Sequence, residues 1–209
     1  MTPSIVRDAT LSALAQPDER TTRRAMLRVH ADRGVPDEAA SILADGLVAH
    51  VAFAVDAQPF VIPMSYHFDV GHPTRVYLHG GHHSRLVRHL AAGAPVCIEV
   101  TLVDGLVYSR TALYHSMNYR SVVVFGRAAP TPSVEVQRAI LHDMVARYHP
   151  GRTAGRDYDA IPDAHLVATA FIEIEIEEWS AKARRGGPAG PRDADPSAPG
   201  SAGVIVLGS

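Results

Sequence analysis

The sequence lacks most of the features that mark extracellular, membrane-bound or strongly charged proteins. It has a single cysteine, Cys97, so no disulfide can form within the chain, as expected in a reducing compartment. No apolar run approaches the ~18–20 residues of a membrane-spanning helix, and residues 1–30 are polar and unlike a signal peptide. The formal net charge is only −2, so no overall field attracts nucleic acid or an acidic membrane. These absences predict a cytoplasmic protein that binds neither nucleic acid nor membrane.

Several catalytic motifs are also missing. The chain contains no GxSxG, GxGxxG or CxxC pattern and no Walker loop, and no nucleophile stands beside an evident base. Any enzymatic chemistry is therefore expected from a bound cofactor rather than from a catalytic triad.

What the sequence does contain is a succession of short, β-branched apolar stretches separated by turn residues. Helical patterns occur at residues 36–46, 84–93 and 131–149. Strands are predicted at residues 47–55, 59–68, 75–80, 118–128 and 165–182, and on both sides of Asp104-Gly105 within residues 95–113. Hairpin-linked strands in this number predict a mainly β protein with flanking helices, folded as a closed or split barrel.

Two details of these strands predict their surroundings. Pro63 cannot donate a hydrogen bond to a neighbouring strand, so it predicts a sheet edge or a bulge. In the last strand Ile172, Ile174 and Ile176 alternate with glutamates, which predicts an apolar inner face and a solvated outer face.

Composition divides the chain into three segments. Residues 1–30 form a predicted N-terminal arm, and residues 31–185 contain the predicted barrel domain. Residues 186–209 form a tail rich in glycine and proline, a composition typical of loosely ordered chain.

The stretch HGGHHSR, residues 79–85, has the composition of an anion site. Two glycines follow a predicted strand and allow close approach of the backbone, and Ser84 and Arg85 add a hydroxyl and a cation at the start of a helix. Two alternatives stay open at this stage. One is a metal site formed by His79, His82 and His83, and the other is a solvated polar loop.

Two further polar points accompany the apolar strands. Arg120 and Ser121 precede a run of valines, and Trp179 and Lys182 close the last strand. Each pair is either the second half of an anion site or an ordinary strand end with a salt bridge or solvent around it.

Four stretches together carry a family resemblance. In their order and spacing, FVIPMSYHFD, VYLHGGHHSRLVRHL, YRSVVVFG and EEWSAK resemble the flavin-binding split-barrel proteins related to pyridoxamine 5′-phosphate oxidase, and most resemble the nitroimidazole-resistance branch. The similarity covers roughly residues 25–185. It implies a six-stranded antiparallel FMN-binding split barrel, and a homodimer with two FMN molecules at the subunit interface.

The resemblance also implies roles for particular residues. Backbone groups of residues 62–65 would bind the pyrimidine edge of the flavin, the loop at residues 79–85 would hold its phosphate, and His79 would be a proton donor or substrate contact. The residues implied in cofactor binding are Ile62, Pro63, Met64, Ser65, His79, Gly80, Ser84, Arg85, Arg120, Ser121, Trp179 and Lys182.

The implied activity is that of an FMN-dependent oxidoreductase. It would reduce a small organic acceptor, nitroaromatic or quinone-like, with NAD(P)H as the expected reductant and no metal. The alternatives are a non-catalytic flavin-binding protein, or the same barrel holding deazaflavin F420 or haem. The basic C-terminal residues that bind substrate phosphate in true pyridoxamine phosphate oxidases are not found, so vitamin B6 oxidation is not expected.

Overall fold

A computed structural model describes residues 24–208 of the chain, so residues 1–23 of the predicted arm lie outside the described part. Eight strands are present: β1 Ala49–Val55, β2 Gln58–Met64, β3 His67–Phe68, β4 Arg75–Gly81, β5 Pro95–Tyr108, β6 Ser116–Ala128, β7 Thr169–Arg184 and β8 Gly203–Val206. The four α-helices are α1 Ala39–Asp45, α2 Arg85–Ala91, α3 Val134–Tyr148 and α4 Asp163–Ala168. Short 3₁₀ helices cover Ala31–Arg33, Pro36–Glu38 and Ala112–Tyr114.

All eight strands belong to one antiparallel sheet in the order β2-β1-β5-β6-β7-β4-β3, with β8 paired to β5. The outermost strands, β2 and β3, follow one another in the chain and are joined by only two residues, 65 and 66. A sheet whose two ends are so closely linked must curl around its own axis. β2 and β3 do not pair, so the sheet stays open there as a split barrel, which confirms the predicted fold class. The sheet has eight strands where the resemblance implied six, and the two-residue β3 and the four-residue β8 account for the difference.

The first hairpin and its proline agree with prediction. β1 and β2 pair from Ala49 with Met64 to Val55 with Gln58. The two turn residues, Asp56 and Ala57, both have positive φ, which is the turn geometry that suits twisted hairpins. Pro63 lies in an edge strand, as its missing donor requires.

The predicted hairpin at Asp104-Gly105 is wrong. β5 runs straight through these residues and pairs with β6 along its length, with a bulge between Val103 and Gly105. The two residues make tertiary contacts and do not form a turn. Asp104 binds Arg120, and a Cβ on Gly105 would lie 2.9 Å from the carbonyl oxygen of Ile205, so glycine is what lets β8 approach.

The last strand follows the predicted alternation with one exception. Ile172, Ile174 and Ile176 are buried in the barrel core, as predicted. Glu173 was expected to face solvent, but it is buried and pairs with Arg75 at 3.1 Å. It is buried because a second apolar group, formed by Tyr77, Ile140, Met144, Leu166 and Phe171, covers this outer face of the sheet with α3 and α4.

Two of the four helices begin at a serine that caps them. The Ser84 side chain accepts from the Val87 N–H at the start of α2, and the Ser133 side chain accepts from the Val136 N–H at the start of α3. α2 buries Leu86, Val87 and Leu90 in the barrel core. It therefore closes one end of the barrel.

The tail is an ordered part of the sheet through β8. The Asp193 side chain accepts hydrogen bonds from Ser109 Oγ (3.0 Å) and from the Arg110 N–H (2.8 Å). The Arg110 guanidinium donates in return to the carbonyls of Asp193 and Ala198.

Across residues 24–208, no helix has both the length and the hydropathy to cross a membrane.

Candidate functional site

The link between the two ends of the sheet is held rigidly by Tyr66. Its side chain is completely buried, and its hydroxyl donates to the Leu43 carbonyl at 2.6 Å. Its N–H donates to the Tyr148 hydroxyl at 3.0 Å. Burial raises the pKa of Tyr66 to about 12, so the phenol stays protonated and keeps donating throughout the physiological pH range.

Arg147 completes this support. Its guanidinium donates to the carbonyls of Leu43, Gly46 and Tyr66 and lies over the Tyr66 ring, 4.7 Å from the ring centroid. A side chain at Gly46 would collide with Val100 and Tyr66, so this approach requires glycine. The supporting residues Arg147 and Tyr148 were missed in the sequence, because their partners lie 81 to 104 residues away.

The segment predicted to bind the flavin ring, residues 62–65, runs directly into this support. β2 pairs only with β1, so alternate backbone groups along its other side are free to bind a ligand. Ile62 and Met64 are half-buried against the barrel core, whereas Pro63 and Ser65 are exposed. The structure thus gives this segment a fixed position and an open edge.

The glycine turn, residues 79–85, leaves the end of β4 and enters α2. Its N–H at Ser84 donates to the Gly81 carbonyl at 2.9 Å, and the Ser84 hydroxyl oxygen accepts from Val87. The Ser84 O–H is left free to donate to a ligand. A Cβ on Gly81 would meet no atom within 4 Å, so the surface of the turn is open there.

Arg85 carries an available positive charge at the end of this turn. Its guanidinium lies over the Phe60 ring of β2, 4.1 Å from the centroid, and forms no ion pair with any residue between 24 and 208. Phe60 precedes the segment 62–65 by two residues. The structure therefore brings together two of the predicted pieces, the glycine turn and strand β2.

His79 faces the outer side of the sheet. It is paired with Phe171 across the β4–β7 register, with the two ring centroids 6.1 Å apart, next to the apolar group under α3. Its Nδ1 is buried without a hydrogen-bond partner in the described chain, and burial lowers its pKa below the ordinary value. A neutral imidazole near pH 7 can donate or accept one hydrogen bond, but it carries no excess proton.

The other histidines of the turn have separate positions. His82 donates from Nε2 to the Val167 carbonyl at 3.0 Å, which ties the turn to α4, and His83 is exposed. Within the described chain, no three His, Cys, Asp or Glu side chains are grouped to hold a metal ion.

Arg120 is neutralised by neighbouring carboxylates. It donates to both oxygens of Asp104 and, at 2.8 Å, to Asp45, and these hydrogen bonds raise its pKa further. We call these three residues the Arg120 cluster. The cluster joins α1 to the β5 bulge, so the structure gives Arg120 a structural role beside its predicted role in cofactor binding.

Distance also separates Arg120 from the glycine turn within one chain. Phe60, which lies under Arg85, pairs with Phe53 of β1. Followed across β1 and β5, this position in the sheet is within one residue of Phe125 of β6. Arg120 is five residues from Phe125, or about 17 Å along the strand. One phosphate therefore does not contact both arginines of the same chain.

Ser121, Lys182 and Trp179 lie on the β6–β7 pair. Ser121 pairs with Lys182, and its hydroxyl donates to the Lys182 carbonyl at 3.4 Å. Trp179 packs in the barrel core, and its Nε1 is buried without a hydrogen-bond partner in residues 24–208. Ser121 and Lys182 lie beside the Arg120 cluster, whereas Trp179 pairs with Val124, four residues further along β6.

Among the solved structures similar to this chain, two share 30% identity or more with it. The FAD and heme binding protein from Mycobacterium smegmatis is 31% identical, with 80% of each chain covered and a TM-score of 0.69. The flavocytochrome Anf3 from Azotobacter vinelandii is 30% identical over 90% of this chain and 86% of its own, with a TM-score of 0.75. A 5-nitroimidazole antibiotic resistance protein from Bacteroides thetaiotaomicron shares the fold at 21% identity, 70% and 82% coverage and a TM-score of 0.56.

No curated protein matches the chain. Residues 36–183 match the family described as pyridoxamine 5′-phosphate oxidase, over a range that includes both halves of the predicted site. The split barrel, the edge strand with its rigid link and the glycine turn all lie within this range. The chain belongs to the pyridoxamine 5′-phosphate oxidase family, as its motifs indicated.

Proposed function

We propose that the chain is a flavin-dependent oxidoreductase whose cofactor binds between the glycine turn and strand β2. The observation that carries the proposal is the position of Arg85, an unpaired cation set against β2 by the Phe60 ring. No carboxylate of residues 24–208 forms an ion pair with it, so its charge is not already neutralised by such a pair. Membership of a family with flavin-binding members supports the same ligand.

The phosphate of the flavin is held by Ser84 and Arg85. The hydroxyl donates one hydrogen bond, and the guanidinium adds a charge-assisted pair. The pyrimidine edge of the ring binds free backbone groups of residues 62–65 on the open side of β2. FMN supplies every group used here, and FAD contains the same groups.

The flavin, once bound, supplies hydride or single electrons, and the protein orients the reactants. His79 contributes a hydrogen bond rather than a stored proton, because burial keeps it neutral. A nicotinamide nucleotide is the proposed reductant and a small nitroaromatic or quinone-like compound the proposed acceptor. The acceptor class rests on the motif resemblance, since the nitroimidazole-resistance structure shares only the fold.

A homodimer explains why the predicted site residues occur in two places. Arg85 over Phe60 marks the first place, and Ser121 and Lys182, beside the neutralised Arg120, form a second group further along β6. In a dimer, the second group of one subunit can face the first group of the other. The exposed apolar side chains Val61, Val103 and Leu106 lie on the strands that this arrangement would cover.

The proposal is tested by titrating FMN into the purified protein and following flavin fluorescence, with NAD(P)H oxidation measured against a nitroaromatic acceptor. Saturable binding with acceptor-dependent NAD(P)H oxidation supports a flavin oxidoreductase. Binding without turnover supports the alternative of a non-catalytic flavin protein. A protein that binds no flavin contradicts both.

Haem is a second candidate ligand. The two most identical relatives described above are named for haem or as a flavocytochrome. In this chain His79 offers a half-buried imidazole whose Nδ1 has no partner in residues 24–208. A Soret band after addition of hemin, lost in His79→Ala, supports this ligand, and an unchanged hemin spectrum removes it.

A further inference from the structure

The last two residues of α3, Arg147 and Tyr148, contact the link between β2 and β3 in different ways. Arg147 divides its hydrogen bonds between Tyr66 and the carbonyls of Leu43 and Gly46. These two carbonyls lie at the end of α1, where a helix leaves its carbonyls without internal partners, so the bonds to them stabilise the fold. Tyr148 instead binds the backbone of Tyr66 on both sides.

The Tyr148 hydroxyl fixes the direction of the Tyr66 N–H. Its oxygen accepts from this N–H at 3.0 Å, and the same oxygen lies 3.0 Å from the Tyr66 carbonyl and 2.9 Å from the Leu47 carbonyl. The single O–H donates to one of the two carbonyls at a time, and the bond from the Tyr66 N–H is present in either case. The direction of the N–H is therefore set by a side chain 82 residues later in the chain.

The planar peptide bond carries this constraint to Ser65. The Tyr66 N–H and the Ser65 carbonyl belong to the same peptide group, which is trans. In a trans peptide group the N–H and the C=O point in opposite directions. Because the N–H points toward Tyr148, the Ser65 carbonyl points away from the end of α3.

The Ser65 carbonyl is free to accept a hydrogen bond from a ligand. No group within residues 24–208 donates to it, and Ser65 is exposed. A free backbone carbonyl is a strong acceptor, so it favours a ligand that brings an N–H group. The pyrimidine ring of a flavin has one such group, an imide N–H between two carbonyls.

We propose that Tyr148, supported by Arg147, is a positioning residue for the flavin ring, because it holds the Ser65 carbonyl in the orientation that accepts the imide N–H. The inference rests on the proposed flavin site, since the ring must lie along the open side of β2. It separates binding into two parts. Ser84 and Arg85 bind the phosphate, and the end of α3 sets the hydrogen bond to the ring.

The test uses FMN and N3-methyl-FMN, which share the phosphate and differ only at the imide nitrogen. Dissociation constants are measured from the change in flavin fluorescence on binding. The wild type is expected to bind FMN at least about threefold more tightly than the methylated flavin, the value of one hydrogen bond. Tyr148→Phe removes only the hydroxyl and should reduce this ratio to near one. Arg147→Met should reduce it part of the way, because Tyr148 remains.

Arg138→Met is the matched control on the same helix. Arg138 donates to the Ile161 carbonyl at 3.0 Å and to Asp163, so its loss disturbs α3 without removing a contact to the link. Its affinity ratio should equal that of the wild type. Arg85→Ala should weaken both flavins equally and also keep the ratio. Thermal unfolding checks that each variant is folded, and lower stability alone does not change a ratio measured on folded protein.

The outcomes separate this inference from the flavin proposal. A ratio that falls in Tyr148→Phe and is kept in Arg138→Met supports the positioning role. An unchanged ratio in Tyr148→Phe, an equal fall in Arg138→Met, or a wild-type ratio of one overturns it, while FMN binding by the wild type leaves the flavin site intact. A wild type that binds neither flavin overturns both.

Discussion

The glycine turn and the Arg120 cluster look alike in sequence but differ in charge balance. In both, a serine stands next to an arginine in the sequence: Ser84 before Arg85 after the end of β4, and Ser121 after Arg120 within β6. Arg85 lies over an aromatic ring and has no carboxylate partner in the described chain, whereas Arg120 binds Asp104 and Asp45. An arginine that is already neutralised has little left to offer an anion, because the two carboxylates repel it. The comparison shows that carboxylate partners, not residue type, decide which arginine is available to bind an anionic ligand.

The largest expected effect is on flavin affinity in Arg85→Ala. Loss of one charge-assisted phosphate contact should cost about 1.5–3 kcal/mol, or about ten- to a hundredfold in Kd. Thermal stability should stay unchanged, since Arg85 is exposed. Arg88→Ala, also exposed and one turn along α2, is the control and should bind flavin as the wild type does. Unchanged flavin affinity in Arg85→Ala removes this residue from the site.

The second prediction is that Arg120→Ala lowers the stability of the protein but not its flavin affinity. Its free energy of unfolding should fall by about 1–2 kcal/mol, because two carboxylates lose their partly buried partner. Urea denaturation measures this loss. Arg156→Ala removes a far more exposed pair with Asp157 and should leave stability close to that of the wild type. If Arg120→Ala lost as much flavin affinity as Arg85→Ala with no loss of stability, the contrast between the two arginines would fail.

The third prediction concerns His79, the first residue of the glycine turn. His79→Ala should retain flavin but lower acceptor turnover by about three- to tenfold, the value of one hydrogen bond. Steady-state rates with saturating flavin measure it, and a turnover equal to the wild type ends the proposed catalytic role.

His79 also makes stability depend on pH. Burial lowers its pKa below the ordinary 6.5, so below pH 6.5 the unfolded chain binds more protons than the folded chain. The free energy of unfolding should therefore fall as the pH drops through and below 6.5. Denaturant titrations of the His79→Ala variant should show a shallower fall. A slope as steep as that of the wild type assigns the pH dependence to other groups, such as His67, whose pKa burial also lowers.

The smallest effect is expected at the bulge beside the Arg120 cluster. Gly105→Ala places a Cβ 2.9 Å from the Ile205 carbonyl, which should loosen β8 and cost about 1 kcal/mol or less. Limited proteolysis should then cleave residues 186–208 faster than in the wild type, with flavin affinity unchanged. Gly187→Ala, where a Cβ meets nothing within 4 Å, is the control. Equal cleavage rates in the two variants would show that β8 does not depend on this glycine.

The sequence predicted local features well, because local signals determine them. Ser84 caps α2, Pro63 lies in an edge strand and the isoleucines of β7 face the core, each for reasons visible within a few residues. The hairpin at Asp104-Gly105 was wrong because both residues act through tertiary partners: Asp104 binds Arg120, 16 residues later, and Gly105 makes room for Ile205. Ile205 lies 100 residues later.

The site was predictable in its pieces but not in its arrangement. Motif resemblance indicated both Arg85 and Arg120, and nothing local distinguishes them. The partner that neutralises Arg120, Asp45, is 75 residues away in sequence. Arg147 looked like an ordinary basic residue in the last turn of α3, yet it supports the residue 65–66 link through carbonyls up to 104 residues distant.

The central claim is that this chain holds flavin through the glycine turn. The most direct measurement is the visible absorption spectrum of the wild type, Arg85→Ala and Arg120→Ala after each is mixed with FMN and desalted. The account predicts flavin absorption that stays with the wild type and with Arg120→Ala and is largely lost from Arg85→Ala. Equal flavin retention by the two variants, or none by the wild type, would contradict it.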